Sequence, residues 1–161
     1  MKTMELLIFE LAGYEFGIPL TIVEEVVPAT KITSVPKSPG FLLGIAAVRG
    51  KVLGVIDAGE RFGIGVCRNS HFLLCKVRGN LTAVTIDRPV LAGSVLCREL
   101  VEPEISEFRS SLPVDEKFLK DAYELFDVNE AQEHVATGRR FFMVNADLFV
   151  SHEMASKVGE V

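Results

Sequence analysis

The sequence predicts a mainly β protein of barrel or sandwich architecture. Roughly nine or ten short apolar segments rich in β-branched residues run through the chain, and turn residues separate them. No strand is followed by a long helix in a repeating pattern, so a parallel sheet with crossover helices is excluded. A chain of 161 residues fits one domain, or two small subdomains sharing a core. At this size roughly 70% of the unfolded surface can be buried without a disulfide or metal staple.

Each element has its own justification. Leu7, Phe9 and Leu11 alternate with Leu6, Ile8 and Glu10, which reads as a strand packed on both faces for part of its length. Ala12-Gly13 is a turn, and Tyr14, Phe16 and Ile18, alternating with Glu15 and Gly17, form the returning strand; Gly17 is expected to be structural. Thr21-Ile22-Val23-Glu24 has capping-box spacing and predicts a short helix stopped by Pro28, with Ile22, Val26 and Val23 inward and Glu24 and Glu25 outward. Lys31 to Val35 reads as a brief strand ended by a Pro/Gly loop.

The stretch from Gly44 to Asp57 is expected to be the central hairpin, pinched at Arg49-Gly50-Lys51. Gly50 supplies the positive φ of a tight turn, and Val52 to Ile56 is the β-branched return. Asp57 precedes Ala58-Gly59-Glu60 at capping spacing, so a helical turn is expected to about Phe62, stopped by Gly63. Phe72–Val77 and Thr82–Asp87 form a hairpin around Gly79-Asn80. Asp87, before Arg88-Pro89, reads as a turn former. Val90 to Cys97 is a strand that bends at Gly93. Residues 102–117 are polar, hold Pro103 and Pro113, and read as a connecting surface loop. Ala122–Val128 and Arg140–Asn145 are strands joined by an extended polar hairpin loop over residues 129–138, and Asp147–Met154 closes as a helix.

Composition narrows function by exclusion. Seventeen basic against 22 acidic residues give a net charge of −5, which argues against a nucleic-acid binder needing a basic face. No apolar run approaches the roughly 20 residues of a spanning helix, and Met1-Lys2-Thr3-Met4-Glu5 lacks the apolar core of a signal peptide. Cys67, Cys75 and Cys97 are odd in number and widely spaced, which suits a reducing cytoplasm and offers no metal-ligand pattern.

No catalytic constellation can be named. His71, His134 and His152 fall in separate contexts, with no His-Glu-x-x-His and no Gly-x-Ser-x-Gly elbow. Gly63-Ile64-Gly65 lacks the third glycine and the following helix of a dinucleotide loop, so no cofactor is implied. Asp57 and Asp87 could form a carboxylate pair in principle. The helix-cap and turn-former readings account for them more simply.

Several short motifs, taken in order, resemble the CheW family of scaffold proteins that couple bacterial chemoreceptors to a histidine kinase. They are Tyr14-Glu15-Phe16-Gly17-Ile18, Ile22-Val23-Glu24-Glu25-Val26, Val35-Pro36, Ala47-Val48-Arg49-Gly50, Val55-Ile56-Asp57 and Thr85-Ile86-Asp87, within residues 6–154. The resemblance implies two small antiparallel β-barrels of SH3-like kind, intertwined as one domain over residues 1–161. It also implies a non-enzymatic adaptor with two partners. A groove between the barrels would receive the cytoplasmic tip of a chemoreceptor, and barrel ends would dock the regulatory domain of a CheA-type kinase.

Carried onto this sequence, the expected partner-binding residues are Arg49, Gly50, Val48 and Lys51 at the hairpin and Val23 and Glu25 on the first short helix. Against this, Val23 also reads as core, Glu24 and Glu25 as a solvated face, and Arg49 as a solvated charge at a turn. The chain departs from the family pattern at Ala47-Val48, where Asn-Leu is usual, and at Ala58-Gly59, where Leu-Arg is usual. It also departs in the longer last hairpin. A divergent member that binds only the kinase in a pilus or gliding system is one alternative, and a small-ligand-binding or enzymatic β-barrel is another.

Overall fold

A computed structural model describes residues 1–38, 40–64 and 67–149. Ten strands form two five-stranded units. β1 (Lys2–Leu11), β2 (Tyr14–Pro19), β8 (Arg88–Glu99), β9 (Leu119–Val128) and β10 (His134–Val144) close a barrel in the order β1-β2-β10-β9-β8. β3 (Val23–Pro28), β4 (Leu42–Val48), β5 (Lys51–Ile56), β6 (His71–Val77) and β7 (Asn80–Ile86) make a sheet in the order β3-β6-β7-β5-β4. The second unit is a sheet with β3 and β4 at its edges, and the two small β units share one core, as the resemblance implied. Two of the ladders, β10 with β2 and β5 with β7, are parallel and only two residues long.

Alternation along the strands builds three packed layers. Leu6 and Ile8 face the interior of the first barrel with Val95, Cys97, Tyr123, Leu125, Phe141 and Met143. Leu7, Phe9 and Leu11 face the opposite way, into a central core shared with Ile56, Leu73, Cys75, Val84 and Ile86 of the second unit. Ala46, Val48, Leu53, Val55, Phe72, Leu74 and Ala83 cover the far face of that sheet. A run of ring contacts links the units: Phe9 to Phe16 at 5.8 Å, Phe16 to Phe62 at 5.2 Å and Phe62 to Phe118 at 5.6 Å. Each such pair contributes about 0.5–1.5 kcal/mol beyond its buried area.

Gly17 shows why a side chain is excluded at one crowded point. A Cβ there would lie 3.0 Å from Met143 Sδ and from the Phe141 ring.

Local expectations meet mixed outcomes. α1 (Ala58–Phe62) is capped by Asp57, whose Oδ1 accepts from Glu60 N at 3.2 Å, and ends at Gly63 with φ 78°. The helix expected from Thr21 is a correction. Only a 3₁₀ turn, Leu20–Ile22, forms before the chain becomes β3, antiparallel to β6 with Val23 opposite Cys75 and Glu25 opposite Leu74. Tertiary pairing of a β-branched segment overrides the capping-box signal. Lys31–Val35 contributes a single bridge, Thr33 to Ile45.

Residues 102–117 contain a helix, α2 (Glu104–Ser110), whose Phe108 stacks on Phe142 at 4.6 Å. The polar hairpin loop is shorter than expected, since β9 and β10 stay paired out to Val128 opposite His134 and turn over Asn129–Glu133. The last helix, α3, is described as Ala146–Phe149, and the remainder of the Asp147–Met154 expectation lies outside the described residues.

Candidate functional site

At one end of the second unit, the β4–β5 and β6–β7 hairpin tips and strand β3 enclose an open groove of about 500 Å³. Its floor is apolar, from the buried Val48, Leu53 and Leu74 together with Leu81. Its rim carries three basic side chains, Arg49, Lys51 and Lys76, and two acidic ones, Glu24 and Glu25. In a chain of net charge −5 this is a locally basic setting for an apolar slot.

The sequence dictates the tip. Arg49 (φ 49°) and Gly50 (φ 77°) both adopt left-handed backbone, as the two-residue turn joining twisted antiparallel strands requires. Glycine takes that conformation freely; arginine at the first position does so at a cost of about 1–2 kcal/mol. Val48 and Lys51 are register partners across the turn. The Arg49 guanidinium, 70% exposed along its side chain, pairs with the Glu25 carboxylate on β3. That pair lies in solvent, where such contacts contribute at most about 1 kcal/mol. The structure therefore brings Glu25, Val48, Arg49 and Lys51 to one groove, with Gly50 shaping its lip. Val23 lies apart, half-buried and packed against the central core.

Lys76, Leu74 and the β6–β7 tip, a hairpin that the sequence predicts, are not among the expected contact residues. A signal was present: Val77-Arg78-Gly79 repeats Val48-Arg49-Gly50, and Arg78 (φ 52°) and Gly79 (φ 81°) make the same kind of turn. The groove is lined by the second unit alone and does not lie between the units.

The residues considered for catalysis are engaged otherwise. Asp57 caps α1. Asp87 sits at the junction of the two units, where its carboxylate accepts from Ala12 N at 2.8 Å, Arg68 N at 2.7 Å and Asn69 N at 3.3 Å. Its backbone carbonyl lies 3.2 Å from His71 Nδ1. Burial pushes the Cys67 thiol up to about 11 and the Cys75 thiol up to about 12, so neither is an activated nucleophile. His152 lies outside the described residues. Among the described residues no group of three His, Cys, Asp or Glu side chains could hold a metal ion, and no helix is long and apolar enough to cross a membrane.

Residues 5–94 match the family model described as the CheW-like domain. The "Probable chemotaxis protein CheW" of Rhizobium etli is 37% identical over 60 residues, which cover 37% of this chain and 39% of that protein. The chemotaxis protein CheW of Rhizobium meliloti is 33% identical over 86 residues, covering 52% of this chain and 56% of that protein. The matches thus span about half the length of these relatives, or less. The crystal structure of the scaffolding protein TtCheW from Thermoanaerobacter tengcongensis superimposes with a TM-score of 0.65 at 21% identity, over 96% of this chain and 92% of that one. At that identity the likeness is one of fold.

Proposed function

We propose a function from one premise: the chain belongs to the CheW-like domain family. It is a non-enzymatic scaffold of chemotaxis-type signalling that joins a chemoreceptor's cytoplasmic tip to the regulatory domain of a CheA-type histidine kinase. The groove beneath the Arg49-Gly50 turn is one of its contact surfaces. One observation carries this reading. Arginine occupies a left-handed turn position where glycine or asparagine would fold at lower cost, and its side chain extends over an apolar slot rather than into the protein. Arg78 has the same backbone at the neighbouring tip, so what singles out Arg49 is its place on the rim of the apolar slot, paired there with Glu25.

The division of labour within the groove follows from chemistry. Val48 and its apolar neighbours supply desolvated area, while Arg49 and Lys51 steer and orient an acidic partner. Glu25 holds the guanidinium in place until a partner carboxylate competes for it.

A second reading has its own support. Because the groove belongs to one end of a single unit, it suits the end-on docking expected of the kinase domain better than a receptor helix held between units. A chain that binds the kinase alone would act as a competitor. Paired variants test the site. Arg49→Gly relieves the backbone strain, and Arg49→Glu reverses the charge. Both are expected to remain folded and to weaken kinase binding, with Glu the worse. Unfolding of both, or undiminished binding by both, would remove Arg49 from the interface.

A further inference from the structure

We propose that the β9–β10 finger is a strand-addition site for a basic, extended segment of a partner protein. The ladder of β9 with β8 ends at Phe126 opposite Leu96, and β10 meets β2 only at Phe142 and Met143. Beyond those points β9 and β10 pair with each other alone, up to Val128 opposite His134. In an antiparallel pair, alternate N–H and C=O groups point away from the partner strand. Along residues 134–138 of β10 no described strand receives them. Near the finger's base the edge is disrupted, with Gly138 at φ 77° and Arg139 N donating to Thr137 Oγ1.

Three features decide what would cover this edge. Val128 and Val135 are 51% and 44% exposed, among the few large hydrophobic residues left in solvent. They lie on opposite faces of the ribbon, since Val128 faces His134 while Val135 faces Asp127. A strand added beside β10 therefore meets Val135 directly on one face, while on the other it meets His134, with Val128 one strand further away. Asp127, Glu130 and Glu133 make the finger acidic, and no lysine or arginine occurs from residue 121 to 138. Arg139, at the base, is engaged by Glu15. Exposed strand edges are ordinarily blunted by lysine or proline, and residues 126–138 contain neither. Charge complementarity selects a basic segment. It disfavours pairing of two fingers, each carrying these three carboxylates. The family match ends at residue 94, so the finger is independent of the proposal made for the Arg49 groove, which lies on the other unit.

The test titrates the full chain with three short peptides: alternating Lys and Val, alternating Glu and Val, and the Lys–Val peptide N-methylated at alternate backbone nitrogens. Amide hydrogen exchange and NMR shifts are followed at residues 126–139. The Lys–Val peptide is expected to bind saturably and to protect outward amides of β10, with the other two at least about tenfold weaker. Val135→Ser, which removes the apolar contact without adding charge, and separately Asp127→Lys with Glu133→Lys, are each expected to weaken it about tenfold while leaving the unfolding midpoint in place. The proposal fails if the Lys–Val peptide does not bind, if all three peptides bind alike, or if the variants change nothing. It also fails if the shifts map to the Arg49 groove, or if protection rises with protein concentration in the absence of peptide, which would make the occupant a second copy.

Discussion

Replacing Asp87 by alanine should loosen the joint between the two units. Asp87 is 9% exposed, and its carboxylate accepts three backbone N–H groups, from the β1–β2 turn at Ala12 and from the 67–69 segment at Arg68 and Asn69. Hydrogen bonds to an ionised group contribute about 1.5–3 kcal/mol each, and stranded donors add a desolvation cost. The sum overstates the loss, because the open cavity lined by Ala12, Arg68 and Asp87 lets water reach the freed donors. A net cost of about 3 kcal/mol is expected for Asp87→Ala, lowering Tm by roughly 6–12 °C. Asp87→Asn keeps one acceptor oxygen for Arg68 and Asn69 but turns an amide N–H₂ toward the Ala12 donor, so about half that cost is expected. Urea unfolding at constant m-value measures both. A cost below about 0.5 kcal/mol for alanine, or asparagine as damaging as alanine, would refute the reasoning.

Three further outcomes follow from the geometry. Gly44→Ala would place a Cβ 2.0 Å from the Thr33 carbonyl oxygen at φ 146° and should cost more than about 3 kcal/mol in a thermal melt. Gly17→Ala, meeting Met143 and Phe141 at 3.0 Å, should cost about 1–3 kcal/mol in the same assay. Cys75, pushed up to about 12 by burial from the ordinary value of 9.0, should stay unmodified by thiol reagents at pH 8 until the protein unfolds. The same shift sets a sign: the unfolded thiol ionises first, so Cys75's contribution to stability is complete below pH 9 and is lost as pH rises toward 12, as unfolding curves at stepped pH would record.

Much of this architecture was legible because local signals and tertiary structure agree. Leu6 to Phe9 and Phe141 to Val144 are contiguous apolar runs, and each is packed on both faces, one toward the barrel interior and the other toward the central core. Asp57, Gly63 and the Arg49-Gly50 tip obey cap and turn chemistry that acts within a few residues. What failed depended on partners distant in sequence. Thr21 to Glu24 satisfied a capping pattern, but β6 offered Val23 to Pro28 a ladder, and the β-branched residues took it. The α2 helix was hidden in a polar stretch, although Ile105, Phe108 and Leu112 carry the 3–4 spacing of a face against the core. The cluster in which Arg98 and Arg140 meet Glu104 and Glu124 could not be read at all, because it exists only once the registers of β8, β9 and β10 are set. Within the candidate site, Arg49 was legible through its motif. Lys76 and Leu74 joined it only through the pairing of β6 with β3 and β7.

The most direct test of the scaffold reading is a titration of this protein against a chemotaxis-type kinase and a receptor cytoplasmic fragment from the same organism, separately and together, with kinase activity followed throughout. The account predicts that both partners bind, that activity rises only in the ternary mixture, and that Arg49→Glu weakens kinase binding without unfolding the chain. Binding to neither partner by a folded protein would contradict it.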